Sequence, residues 1–193
     1  MSGDVNNTAV WNEADVFIGD LAATNPTAGA AFTLNESSGG TAGTTTEWDF
    51  VGLLDGSAGF GEQESITSTD HSAWGYGVIT TTKKDFKLTR TFTALEDNTT
   101  VLGLLYDATG VTFTGNNFSG DLKVRDNSRQ FKVAFETRSG TEIKRYISAG
   151  HAMVESIGQV TEGEDGLQSR PVTVTIYPDS TKVLWHTYKG AAA

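Results

Sequence analysis

The sequence predicts a mainly β fold, a β-sandwich or partly closed barrel with one flanking α-helix and long loop arms. Three observations carry this expectation. Several segments alternate apolar and polar residues with period two. Threonine is abundant and proline scarce, with Thr 28, Gly 22 and Pro 3, a composition that suits pleated, half-buried strands. Only one segment shows helical spacing.

The alternation is clearest in three places. In Gln130–Glu136, Phe131, Val133 and Phe135 share one face while Lys132 and Glu136 take the other. In Pro171–Tyr177, Val172, Val174 and Ile176 oppose Thr173 and Thr175. In Asp85–Thr93, Phe86, Leu88 and Phe92 share a face, and Arg90 falls on that same face, so it needs a partner or a route to solvent. Further strands are expected at Ala14–Gly19, Glu47–Leu54, Glu64–Ser68, Trp74–Thr82, Gly110–Thr114, Leu122–Arg125, Thr141–Ser148, Met153–Thr161 and Lys182–Tyr188. Hairpin signals stand at Asp126-Asn127-Ser128, Ser139-Gly140 and Asp179-Ser180.

The helix is expected to open at Thr93-Ala94-Leu95-Glu96, which matches a capping box. Leu95, Val101, Leu102 and Leu105 give it about three turns, ending near Tyr106-Asp107. Two stretches read as long loops, Asp20–Thr46 and Asp55–Ala73, the second with room for a short hairpin. No internal repeat or linker divides the chain. It reads as one domain over 1–193, with an N-terminal arm at 1–10 and a fraying tail at 189–193.

Composition removes several functions. There is no cysteine, so disulfides, thiolate metal sites and cysteine nucleophiles are excluded. The net charge is −10, which suits neither DNA nor RNA binding by phosphate neutralisation. The start lacks the basic and apolar stretches of a signal peptide, and no run is long enough to span a bilayer. The chain is expected to be soluble and made in a reducing compartment. On that basis the N-x-S/T triplets at Asn6, Asn35, Asn98 and Asn117 read as accidents of composition.

The charge is also uneven. Residues 1–82 contain eleven acids and no Lys or Arg, and the first bases are the pair Lys83-Lys84. Acidic loops that keep the protein in solution explain this; so does head-to-tail self-association, with an acidic end meeting a basic patch.

Catalytic chemistry is hard to assemble. His71, His151 and His186 are not at metal-ligand spacing, and the Glu162–Gly166 acidic turn does not fit a calcium loop. No phosphate-binding glycine motif or nucleophile elbow is present, and no nucleophile–base–orienter set emerges, so the chain does not read as an enzyme. No cofactor is expected. Trp74-Gly75-Tyr76 has two readings: a stacking platform for a saccharide, or aromatics packed in the core or at a subunit contact.

The order of segments carries a resemblance. The strand Ala14–Gly19 is followed by Trp48-Asp49-Phe50-Val51-Gly52-Leu53-Leu54-Asp55-Gly56, an acidic loop and a strand with Trp74. Then Lys84–Thr93 runs into the helical segment Ala94–Tyr106, and the last third holds Arg145-Tyr146-Ile147 and Arg170–Asp179. From about Trp11 to Tyr188 this resembles the major tail tube protein of long-tailed, non-contractile bacteriophages, particularly those of actinobacterial hosts. The Asp20–Thr46 loop is longer than the family leads one to expect.

The resemblance implies a structural virion protein, assembled in the host cytoplasm, whose hexameric rings stack into a hollow tail tube. The tube would enclose a tape-measure protein, meet terminator and tail-tip proteins at its ends, and let DNA pass into the host without specific binding and without a membrane partner. The loop Asp55–Ala73 would reach a neighbouring subunit or ring. Candidate interface residues are Asp55, Gly56, Glu62, Glu64, Trp74, Lys83, Lys84 and Lys87. An acidic wall would leave the polyanion mobile, and the base-free first 82 residues could supply it or the acidic side of ring stacking. A carbohydrate-binding β-sandwich module of a virion, for receptor binding or decoration, is the alternative.

Overall fold

A computed structural model describes residues 10–34, 47–114, 117–164 and 166–192. Its elements, in chain order, are β1 (Glu13–Gly19), β2 (Trp48–Phe50), β3 (Gly61–Ala73), β4 (Gly77–Ala94), α1 (Thr99–Leu105), β5 (Asp107–Thr114), β6 (Asn117–Lys123), β7 (Lys132–Ser139), β8 (Glu142–Ser148), β9 (Ala152–Ile157), β10 (Thr161–Gly163), β11 (Gly166–Ile176) and β12 (Trp185–Ala191). Over the described residues the fold is mainly β, with 60% strand and 4% helix, and it is sandwich-like.

One sheet has the order β12-β8-β7-β1-β2. The other runs β10-β11-β4-β3, with β9 also paired to β11. β5 and β6 form a separate two-stranded ribbon, and every strand pairing is antiparallel.

The alternating segments supply the core between the sheets. Val16 and Ile18 of β1 lie with Val133 and Phe135 of β7. Leu88 and Phe92 of β4 and Val172, Val174 and Ile176 of β11 face them, and Val101, Leu104 and Leu105 of α1 close one side. Period two thus puts one stripe of each strand out of water, the main favourable term in folding.

The first sheet is covered on its outer face too. Phe17, Ala134 and Ile147 are buried there beneath Ala23, Phe32 and Trp48. Phe32 stacks on Phe17 at 4.2 Å between ring centroids. The Lys132 ammonium donates to the Ala23 carbonyl at 2.8 Å, and the Trp48 indole donates to the Thr24 carbonyl at 2.9 Å. Gly19 is needed for this closure, because a Cβ there would meet Ala23 at 2.7 Å and the Trp48 ring at 2.9 Å. The described part of the expected Asp20–Thr46 loop is therefore a cover over a sheet; residues 35–46 lie outside the described residues, as do 1–9 of the expected N-terminal arm. Also on this face, buried Glu136 accepts from Arg145 and Arg138, each at 2.6 Å.

Several expectations need correction. The helix does not start at Thr93: Thr93 and Ala94 still pair with β11, and the N-cap is Asn98. Its side-chain oxygen accepts from the Val101 N–H at 2.9 Å, while its amide donates to the Val51 carbonyl at 2.8 Å. Glu96 accepts from the Leu53 N–H at 3.0 Å instead of closing a capping box. The helix has 7 residues, two turns where three were expected. The stretch Asp55–Ala73 is a loop only to Phe60; beyond it lies the 13-residue strand β3. Trp74-Gly75-Tyr76, expected to begin a strand, is the turn between β3 and β4.

Lys189–Ala191, within the tail expected to fray, belong to β12, and Ala193 lies outside the described residues. They pair with Ile143–Lys144 and Glu142 of β8, so the tail completes a sheet edge. Of the three hairpin signals, Ser139-Gly140 joins paired strands. Asp126–Ser128 and Asp179-Ser180 are turns that carry the chain between different sheets.

Replacing Asn98 with Ala removes the cap and the tie to Val51. It is expected to cost about 1–2 kcal/mol in urea unfolding; a change within ~0.3 kcal/mol would mean that the cap carries no stability.

Candidate assembly surface

The most distinctive feature is a long arm. β11 pairs with β4 only from Leu88 to Ala94, so from Lys87 outward β4 has β3 as its sole strand neighbour. The ribbon extends on the order of 30 Å at about 3.3 Å per residue. Nearly every residue on it is exposed on both faces. A two-stranded ribbon with no packed face is at best marginally stable in water and leaves an unpaired edge.

Local chemistry shapes it. The register slips between Ser65 and Thr67, where Asp85 adopts φ 58°. Asp tolerates this left-handed conformation, and the bulge bends and twists the strand as it leaves the body. Phe86, expected to share the buried face of Leu88, is exposed here because no second sheet covers it. Along the ribbon, Thr81 donates to the Asp70 carboxylate at 2.7 Å, and His71 hydrogen-bonds Thr82 at 2.9 Å. At the tip the Tyr76 N–H donates to the Ala73 carbonyl at 3.1 Å, and Gly75 takes φ 83°, a value that the third residue of such a turn requires of glycine. Trp74 is fully exposed and Tyr76 is 88% exposed. Val78 and Ile79 follow, also exposed.

The root of the arm is anchored by Arg90. This residue is 8% exposed, and its guanidinium carbon lies 4.3 Å from the Phe135 ring centroid, 4.8 Å from Tyr146 and 5.5 Å from both Phe60 and Trp185. Those rings come from β7, β8, β12 and the residue before β3, so one cation ties the arm to three strands of the opposite sheet. Its Nη1 donates to Glu62 at 3.4 Å, directly across the ladder. Burial pushes the guanidinium below its ordinary pKa, and Glu62 and Tyr146 pull it back. The aromatic faces give the charge the contact that water would otherwise supply.

A second feature is a cleft of about 290 Å³ beside α1. Ile18, Leu104, Phe131 and Val154 meet Val111 and Phe113 of β5 across it. Two guanidinium groups stand in its wall. Arg129 donates to the Gly103 carbonyl at 2.6 Å, and Arg125 donates through Nε to Asn127 at 2.9 Å, while Arg125 Nη1 is buried without a hydrogen-bond partner.

The expected interface residues fall into three groups. Asp55, Gly56 and Glu62 lie at the arm root, where Asp55 and Gly56 share a hollow with Arg90. The Ser57 hydroxyl and N–H donate to the Asp55 carboxylate and hold its pKa below the usual value. Glu64, Trp74, Lys83 and Lys84 lie along the arm, with the two lysines on opposite faces opposite Ser68 and Thr67. Lys87 is engaged within the chain, 2.6 Å from Glu155 of β9.

The histidines are dispersed: His71 on the arm, His151 stacked on Tyr177 at 4.6 Å, and His186 on β12. Among the described residues no group of three or more His, Asp or Glu could hold a metal ion, and no helix is long and apolar enough to cross a membrane. No protein-family model matches the chain, and no curated protein matches it significantly.

Two outcomes test the anchoring. Arg90→Ala empties the aromatic cage and is expected to cost about 3 kcal/mol in urea unfolding. Glu62→Gln, at a half-exposed position, is expected to cost under ~1 kcal/mol; equal losses would assign the anchoring to the ion pair instead of the rings. For Glu155, hydrogen bonds from Lys87 and then Thr175 hold the carboxyl below its ordinary 4.5. A depressed folded pKa stabilises above the unfolded value and is lost as pH falls through the folded one. Glu155→Gln is therefore expected to flatten the fall in stability below pH 4.5, read from urea midpoints across that range.

Proposed function

We propose that this chain is a structural subunit of a bacteriophage tail tube, polymerising as stacked hexameric rings into a conduit for DNA. The observation that carries the reading is the arm: a solvent-exposed ribbon whose edges and apolar tip find no partner within the described residues. Such a surface is a liability on an isolated monomer and useful on a subunit whose neighbours complete it. The order of segments that resembles tail tube proteins supports the same reading, as does the mainly β, sandwich-like fold.

The charge pattern fits a conduit. A strongly acidic subunit repels a passing polyanion, whereas a basic wall would release counterions and hold it. The two adjacent lysines on the arm, Lys83 and Lys84, are exposed cations next to a base-free first 82 residues and are suited to an acidic neighbour. The tape-measure protein would fill the bore during assembly, and terminator and tip proteins would close the ends.

A glycan-binding module is the second reading, favoured by the exposed Trp74 and Tyr76 at a turn. Negative-stain microscopy of the concentrated protein separates the two. Rings or hollow tubes are expected from the first; a persistent monomer that binds glycans would replace it with the second. Lys83→Glu with Lys84→Glu is expected to shorten tubes and lower their yield while the circular dichroism stays unchanged. Tubes of normal yield and length from this variant would remove these lysines from the interface.

A further inference from the structure

We propose that the aromatic tip of the β3–β4 arm seats in the cleft beside α1 on a second copy of this chain. The inference rests on the polymerising role above and names the acceptor for the arm.

Shape and polarity match on the two sides. The tip presents Trp74 and Tyr76, both largely free of contacts, with Val78 and Ile79 behind them. The cleft, about 290 Å³, has an apolar floor of Ile18, Leu104, Val111, Phe113, Phe131 and Val154 among Thr, Asp, Asn and Arg side chains, and is of a size to take one indole with the edge of a second ring. One surface exposes apolar area, and the other leaves apolar side chains uncovered in a hollow of mixed polarity.

One unsatisfied donor in the cleft fits the tip as well. Segment 67–82 carries a single formal charge, Asp70, and no Lys or Arg. The cleft wall carries Arg125 and Arg129, with Arg125 Nη1 buried and lacking an acceptor. The same wall holds three carboxylates: Asp126 accepts from the Ser128 N–H at 2.8 Å, Asp107 accepts from the Thr109 N–H at 3.1 Å, and Asp49 is engaged too. A β-turn brings carbonyl oxygens on its outer side, here at Trp74 and Gly75, to meet such an unpartnered donor.

The contact joins different surfaces of identical chains. It is heterologous, so each copy gives a tip and receives one, and the contact propagates into a ring or filament. Burying two aromatics at about 150–250 Å² each falls well short of the ~1,200 Å² of a stable pair. Isolated dimers should therefore be scarce, with assembly appearing only where several contacts form together.

The absence of cysteine makes the test clean. Tyr76→Cys and Val111→Cys single variants are mixed under assembling conditions and oxidised gently. Mixed disulfide dimers are expected at least about tenfold in excess over either homodimer, the discrimination that one buried aromatic anchor provides. Predominant Tyr76→Cys homodimers, meaning tip-to-tip contact, or no excess of mixed dimers, would overturn the proposal. In a second arm, Trp74→Ala, at a position that packs against nothing, and Ala108→Trp, which fills the cleft, are each expected to raise the concentration needed for assembly about tenfold with unchanged melting temperature. Normal tubes from both variants would overturn the proposal and leave the tail-tube reading standing. A wild-type chain that stays monomeric at every concentration would overturn both.

Discussion

A buried cation holds this molecule's two halves in relation. Arg90 stands on the inner face of one sheet with its charge against rings from three strands of the other, one bond to Glu62, and its Nε buried without a hydrogen-bond partner. Charge in an apolar interior is costly unless something replaces the lost water, and the negative faces of aromatic rings do so without adding a second buried ion. Position matters as much as energy. Arg90 lies a few residues inside the point where β4 leaves the body, so the site that locks the sheets also fixes the direction in which the arm departs.

The remaining architecture leaves that arm projecting as a paired ribbon from a covered body. Both faces of the first sheet are occupied, one by the second sheet and α1, the other by segment 20–34 with Phe32 over Phe17 and Arg145. No third layer can stack on this covered area. Among the described residues the outer face of the second sheet, with Thr91 exposed and Thr89, Thr93 and Thr173 half-buried, stays open to contact, as do the ribbon, the sheet edges and the cleft beside α1. In the proposed polymer, edges and projections would carry contacts that the covered first sheet does not offer.

Much of the fold was legible because alternation is a local signal. Phe131, Val133 and Phe135, and Val172, Val174 and Ile176, are buried as their spacing predicted. The demand that Arg90 find a partner was legible too, since a cation on an apolar stripe is an anomaly within one strand. Its partners were not, because Phe60, Phe135, Tyr146 and Trp185 are brought to it only by the packing of sheets. The helix start was misplaced by five residues because Thr93 and Glu96 satisfy the capping pattern while tertiary pairing with β11 keeps Thr93 extended. The arm was read only in part, as strands at Glu64–Ser68 and Trp74–Thr82, and its full length and pairing were not. Its strands face water on both sides, so Ser and Thr fill both faces and no apolar alternation marks them. The cleft left no sequence signal at all, being assembled from β1, α1, β5, β9 and the turn at 125–129.

The last strand has a consequence for biosynthesis. Trp185, which closes the cage around Arg90, belongs to β12, and β12 is laid against β8 only after all the other strands have been made. A nascent chain emerging from the ribosome thus carries its projecting ribbon before the collar at its base is complete. On the proposed reading, the ribbon's root is fixed only in finished copies, so release from the ribosome would precede productive growth of the polymer.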